Sequence, residues 1–517
     1  MSDERAAGPI GLLEGTELVG EFKSSGYREA SRLVGRSDGR LVRLSTVLYA
    51  VVTALDRHAR AEGAGGRELL SSVADEVRDE TGLELTSDHI AYLMDQKLAP
   101  LGITTDSNGS RPAVAQAQPF LSLRIKKAVL PSSATWFFGG LFSWLFYPAV
   151  VVAVVTAAVV SEIWLFGTQP MGSALAQALA DPTSVLLVGG LAVASAFFHE
   201  LGHATGCRYS GARPGPIGCG VYLVWPVFYT DISNTYRLER SGRLRAVLGG
   251  VYFNAVFIIG ITLLYVWTGN PVLLAVVLIA NLELIQQLLP TLRFDGYFIV
   301  SDLVGVPDLF KYIGPILKRT VLRQPADSRL QALKTWPQRV VTVWVLVVIP
   351  ALIAQLTFIF FQLPQFLTIG QDRIEAIASR TDFLGLLGDL GLVLFALLPL
   401  AGLMVLVLQA GRGIAHIVRK TQTGGGEPAD SAPSPQALPS PTPSKRWQSQ
   451  TLATNCLLAF NTVLLVISTA YVLSGGGSPS TPSARPSPSD TVSEERGQSS
   501  RFLPDRTTTT VRLRSGD

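Results

Sequence analysis

The stretch FFHELGHATG, residues 197 to 206, sets His199 and His203 four residues apart with Glu200 between them. On a helix that spacing projects both imidazoles from one face, so both can reach one metal ion. It also leaves a glutamate beside them to take a proton from metal-bound water. This is the HExxH pattern of zinc hydrolases. With five histidines in 517 residues, a chance HExxH is expected on the order of 0.002 times. The setting adds weight, because the motif ends an apolar run long enough to cross a bilayer, where ionisable groups are costly and need partners.

Two histidines leave zinc one protein ligand short of the usual three plus a water. His58 and His89 belong to the N-terminal region and His416 lies beyond the sixth apolar run, so the third ligand is expected to be a carboxylate. Asp295, in LLPTLRFDGYF, comes to a depth similar to that of the histidines if the second and fourth runs both end at the cytosolic face. Glu283 competes, but it stands about three helical turns away; it also fits a packed, hydrogen-bonded or protonated carboxyl. Pro290 frees a backbone carbonyl and Gly296 permits an unusual turn, so the chain can bend Asp295 inward.

The elements that must hold these groups are membrane helices. A hydrophobic fraction of 48% and a mean hydropathy of +0.34 put much of the chain in lipid. Seven stretches approach the ~20 apolar residues of a spanning helix: 138–162, 184–206, 246–267, 271–292, 340–362, 383–409 and 451–473. The run IGCGVYLVWPVFY, 217 to 229, is too short to span and carries Pro226 among β-formers, which predicts an interfacial or re-entrant strand pair. Lys and Arg crowd the loops after the second, fourth and sixth runs and precede the first, whereas the loops after the first and third hold none. The expected protein is a multi-pass cell-membrane protein with its N-terminal module and the 207–245 and 293–339 loops in the cytosol. Its C-terminal tail is expected outside. The first long apolar run begins near Phe137, too late for a cleaved signal peptide, which agrees with a cytosolic N-terminal region.

Residues 1–24 read as a flexible lead. From 25 to 105, a hairpin signal at Ser37-Asp38-Gly39 is followed by three amphipathic patterns: Val47, Leu48, Val51, Val52 and Leu55; Leu69, Leu70, Val73 and Val77; Ile90, Leu93, Met94 and Leu98. Thr86 or Ser87 suits the N-cap of the third. A hairpin and three helices predict a small α+β winged-helix-like cytosolic domain ahead of a mainly α, polytopic core at 138–409. The Pro/Ser/Gly-rich 421–450 linker and the 474–517 tail flank a final helix at 451–473 and hold too little apolar surface to fold.

Composition excludes other classes. Three cysteines (Cys207, Cys219 and Cys456) make neither a disulfide framework nor a CxxC metal site. A formal net charge of +4 is modest for this length. Its arginines sit beside apolar runs, and His58, Arg57 and Arg60 form no basic recognition stripe, so nucleic acid is not expected as a partner.

HELGH at 199–203, taken with Pro290, Asp295 and Gly296, resembles the site-2 protease family of intramembrane zinc metalloproteases. In that family the later motif reads NxxPxxxLDG and its aspartate is the third zinc ligand, the position held here by Asp295. Gln287 stands where the family has asparagine, which bears on contacts to substrate backbone or oxyanion. Phe294 replaces leucine, a mild packing change. Gly250-Val-Tyr-Phe-Asn254 resembles the family's GxxxN element, in which the asparagine helps to hold substrate; Asn254 equally fits an interhelical hydrogen-bonder. FYTDISNTYRL and FDGYFIVSDL resemble a bacterial branch of peptide zinc metalloproteases. The 25–105 region resembles the winged-helix domains that bind leader peptides in ribosomal peptide biosynthesis.

The resemblance implies a Zn2+ endopeptidase in which His199, His203 and Asp295 hold the metal and Glu200 is the general base. Asn254 and Gln287 would touch substrate. The substrate would be a biosynthetic precursor peptide or a membrane-anchored protein that must unwind locally, and the 217–229 strands would offer it an edge or anchor the chain at the interface. The competing expectation is a non-proteolytic peptide-binding, immunity or transport protein on the same scaffold; an intact Glu200 speaks for catalysis, since a pure binder has no need of a general base.

Overall fold

A computed structural model describes residues 9–394, apart from 40, 62–65, 112–125, 223–224, 292, 326 and 380, together with 397 and 404. The expected final helix at 451–473, the linker and the tail lie outside the described residues. Everything discussed below belongs to one compact unit.

Among its described residues the N-terminal region has three strands and three α-helices. The strands β1 (Glu17–Glu21), β2 (Arg32–Gly35) and β3 (Leu41–Leu44) form an antiparallel sheet in that order. The turn at Ser37-Asp38-Gly39 joins β2 to β3, with Gly35 opposite Leu41. Helices α1 (Thr46–Ala61), α2 (Arg67–Thr81) and α3 (Ser87–Leu93) follow where the apolar periodicity put them. Val51, Leu55, Leu69, Val73, Val77 and Ile90 are fully buried between them. The N-cap of α3 is Thr86, whose side chain accepts from the His89 backbone N–H while His89 Nδ1 accepts from the Thr86 N–H. The lead is more structured than expected: β1 lies inside it, and Leu12 bridges to Thr104. The short run ELVGE carries too few apolar residues to announce a strand, and it forms because β2 offers a free edge.

Four helices are long and apolar enough to cross a membrane among the described residues, against the seven runs expected: Pro148–Thr168, Pro182–Tyr209, Arg240–Thr268 and Thr335–Ala354. The first expected run, 138–162, is divided. Strand β4 (Lys126–Leu130) leads into α4 (Ser132–Leu141), a 3-10 turn spans Ser143–Phe146, and α5 (Pro148–Thr168) begins anew. The break has a local cause: Tyr147 precedes Pro148, whose ring bars the preceding residue from helical backbone, and Tyr147 is extended. Along α5, Val152, Val159 and Ile163 are exposed, as on a lipid-facing helix.

Helix α6 (Met171–Ala180) precedes the long α7 (Pro182–Tyr209), α8 (Arg240–Thr268) and α9 (Val272–Leu288). At 17 residues α9 is only about 25 Å long, short of the ~30 Å hydrocarbon core. Beyond it, α10 (Asp295–Val304), α11 (Ile313–Thr320), α12 (Ser328–Gln331) and α13 (Thr335–Ser379) follow. The expected 340–362 run falls within α13. Of the 383–409 run, the described residues give a shorter apolar helix, Phe383–Leu394.

Helices α7 and α8 cross on small residues. A β-carbon on Gly202 would overlap the Gly249 carbonyl and one on Gly249 would overlap the Gly202 carbonyl, while one on Gly206 would sit 2.6 Å from the Arg245 carbonyl oxygen. Such glycines let two backbones approach within van der Waals contact. Between them, β5 (Ile217–Tyr222) and β6 (Trp225–Thr230) form the expected strand pair, and β4 joins it to give the order β4-β5-β6 with β6 at an edge.

The N-terminal segment is laced into the end of this bundle. Arg243, in the first turn of α8, is fully buried. Its Nε donates to Asp302 on α10 at 3.1 Å, and its Nη1 donates to the carbonyls of Lys23 at 3.1 Å and Leu238 at 2.8 Å. The guanidinium also lies over the Phe22 ring. Gly26 donates its N–H to Gly305 at 2.9 Å, and its carbonyl accepts from the Lys334 N–H at 2.9 Å. One guanidinium thus joins the lead, α8 and the helix that begins at Asp295.

Candidate metal centre

His199 and His203 lie one turn apart near the C-terminal end of α7, both buried. Their Nε2 atoms are 3.0 Å apart. Asp295, the first residue of α10, brings its carboxylate to the same place: Oδ2 is 3.1 Å from His199 Nε2 and Oδ1 is 3.3 Å from His203 Nε2. A tetrahedral zinc with bonds of about 2.0 Å has ligand-to-ligand edges of about 3.3 Å, so the three groups are spaced as donors around one cation. Asp295 Oδ2 is buried and accepts no hydrogen bond, the condition of a lone pair reserved for a metal.

The orientation of His203 is set by its other nitrogen. Nδ1 lies 2.9 Å from the Ala246 carbonyl, which can only accept, so Nδ1 donates there and Nε2 is the nitrogen that faces the cluster. Helix α8 meets both imidazoles at Gly250, where a β-carbon would sit 2.5 Å from His199 Nε2 and 2.6 Å from His203 Nε2. A glycine is therefore required at this point of the helix crossing. The Gly296 β-carbon position is likewise filled by the Leu288 carbonyl, so a side chain there would push Asp295 away from the histidines.

Glu200 shares the cluster, with a carboxylate oxygen within 4.8 Å of ligand atoms on both histidines. It is half-buried, and one of its carboxylate oxygens, Oε2, is held by Thr230 Oγ1 at 2.7 Å. The same hydroxyl is 2.9 Å from the Glu200 backbone carbonyl. Thr230 closes β6, and Phe228 on the same strand meets Phe197 of α7 edge-on at 5.7 Å. Phe142, Phe198 and Phe253 pack on one another between α4, α7 and α8, with Phe198 and Phe253 rings 4.8 Å apart.

Of the expected site residues, the fold brings His199, Glu200, His203 and Asp295 together. Glu283, the competing carboxylate, is half-buried on α9 and forms no ion pair with either histidine. Asn254 is buried on α8, one turn beyond Gly250, and its Oδ1 has no hydrogen-bond partner. Gln287 is half-buried in the last turn of α9. These last two have a place in the fold, and no contact in the structure gives them a role. Sequence reasoning missed Thr230 and Ala246: a hydroxyl thirty residues from Glu200 and a backbone carbonyl carry no signal in spacing.

No protein-family profile matches this chain, and no solved structure matches it. One curated relative does: the chain is 26% identical over 117 residues to "Putative peptide zinc metalloprotease protein YydH" of Bacillus subtilis (strain 168). The match covers 22% of this chain and 46% of the relative, so the chain spans about half the length of the curated protein it matches. The similarity supports a metalloprotease role for the chain at the level of that relative's printed name, and the proximity of His199, Glu200 and His203 is consistent with a zinc site.

Proposed function

We propose that the protein is a membrane-embedded zinc endopeptidase of the site-2 protease kind. The observation that carries this reading is the convergence of His199, His203 and Asp295 within 3.0 to 3.3 Å of one another, with Glu200 adjacent. Zinc bound there would supply a water of lowered pKa and polarise the scissile carbonyl. The chain's own residues do the rest. Glu200, through the carboxylate oxygen that Thr230 leaves free, accepts the proton of the attacking water and delivers it to the departing amine nitrogen. The Ala246 carbonyl orients His203 by accepting from its Nδ1.

The substrate is a peptide presented from or beside the bilayer. It must be extended at the cut site, and β6, the edge strand beside Glu200 among the described residues, suits a segment that pairs as a strand. Asn254, with its buried unpaired oxygen, and Gln287 are the polar groups available to hold substrate backbone. The N-terminal module faces the cytosol in this reading, together with the basic 207–245 loop, and the C-terminal tail lies outside. The module binds the leader of a precursor peptide, delivering it to the centre to which the lead is laced through Arg243.

Detergent-purified protein mixed with a precursor peptide encoded beside its gene tests the proposal. Wild type is expected to cut it and Glu200→Gln to leave it intact while still binding it. Equal cleavage by both, or none by wild type with any membrane-associated peptide offered, would replace catalysis with peptide binding or transport.

A further inference from the structure

We infer that Thr230 is the positioning residue of the general base, an inference that rests on the peptidase reading above. The argument begins with the hydroxyl's surroundings. Thr230 Oγ1 faces two acceptors of one residue, Glu200 Oε2 at 2.7 Å and the Glu200 carbonyl oxygen at 2.9 Å. A threonine hydroxyl has one hydrogen and two lone pairs. Its hydrogen directed at Oε2 makes the shorter of the two contacts, which fixes the carboxylate's plane and leaves Oε1 as the oxygen free for the attacking water.

The strand makes that hold rigid. Thr230 pairs with Ile217, which is fully buried, and the Asp231 N–H donates to the Pro216 carbonyl at 3.2 Å while the Gly215 N–H donates to the Asp231 carbonyl at 2.7 Å. Phe228, two residues earlier, anchors β6 to α7 through Phe197. The hydroxyl therefore sits on a backbone tied on both sides, as a positioning group requires. A threonine merely satisfying itself on a strand would need only one acceptor, and the carbonyl alone would provide it. The bond to Oε2 is the part that bears on chemistry.

The test compares Thr230→Val, Thr230→Ala and Thr230→Ser in the full-length protein, with zinc content, KM and kcat measured on the peptide that wild type cuts. Valine removes the hydroxyl and keeps the shape. It is expected to leave zinc content and KM within about twofold of wild type and to lower kcat ~10–100-fold, the scale of one hydrogen bond to a charged group. Serine is expected to recover kcat to within about threefold. Valine with undiminished kcat overturns the inference, and so does serine failing as badly as valine, which would make the methyl group's packing the important part. Should valine lose metal, alanine, which fits in the same space, decides: zinc lost there too marks a structural role and overturns the inference. Absence of cleavage by wild type would instead sink the peptidase reading, a result separable from all of these.

Discussion

Gly250 lies against His199: a β-carbon on it would lie 2.5 Å from the imidazole Nε2, the atom that faces Asp295. The ligand geometry therefore depends on a residue that offers no donor atom. Gly250→Ala must rotate the imidazoles or push α8 from α7, and second-shell disturbances of this kind cost ~10–100-fold in metal affinity. Zinc titration of the purified variant is expected to show that loss, with helix content unchanged by circular dichroism. Wild-type affinity in the alanine variant would mean that the α7 and α8 crossing is looser than described.

Arg243 is a buried cation with three hydrogen-bonded partners on three segments. Its removal strands Asp302 and two carbonyls together. Arg243→Ala is expected to cost about 3–5 kcal/mol, read as a large fall in thermal stability in detergent, and to free the N-terminal region for limited proteolysis near Lys23. Arg243→Lys is expected to recover little, because an ammonium cannot reproduce the planar fork that reaches several acceptors at once. A change in melting temperature within error for the alanine variant would contradict this.

Glu17 and Arg237 form a two-pronged pair, both contacts at 2.7 Å, between β1 and the loop before α8. The Arg237 guanidinium holds the Glu17 carboxyl below its ordinary value. The sign follows: the pair's contribution is fully present above the unfolded value, about 4.3, and fades as pH falls through the lower folded one. The hydrogen-exchange protection of residues 17–21, taken relative to the intrinsic rate at each pH, is expected to fall between pH 5 and 3, and Glu17→Gln to remove that fall. Because the pair is exposed, raised salt should weaken the effect. Exchange in Glu17→Gln that keeps the wild-type pH profile would assign the dependence to another group.

Much of this could be read from the chain. The four residues at the centre announced themselves, since HExxH fixes two imidazoles on one helical face and a proline followed by Asp-Gly gave Asp295 a reason to turn inward. Periodicity found α1, α2 and α3, and β-formers around Pro226 found β5 and β6. The division of the 138–162 run was present in Tyr147-Pro148 but was masked by continuous hydrophobicity, which reports burial in lipid and is silent about a backbone break. The strand β1 depends on the edge that β2 presents, and Thr230 depends on the docking of β6 against α7. Both are consequences of tertiary contact, invisible to local pattern.

The central claim is that His199, His203 and Asp295, and not Glu283, hold one zinc. Metal content of purified wild type, Asp295→Ala and Glu283→Ala tests it most directly. About one zinc per chain in wild type and in Glu283→Ala, with little in Asp295→Ala, is the predicted result. Zinc retained by Asp295→Ala and lost by Glu283→Ala, or none in wild type supplied with the metal, would contradict it.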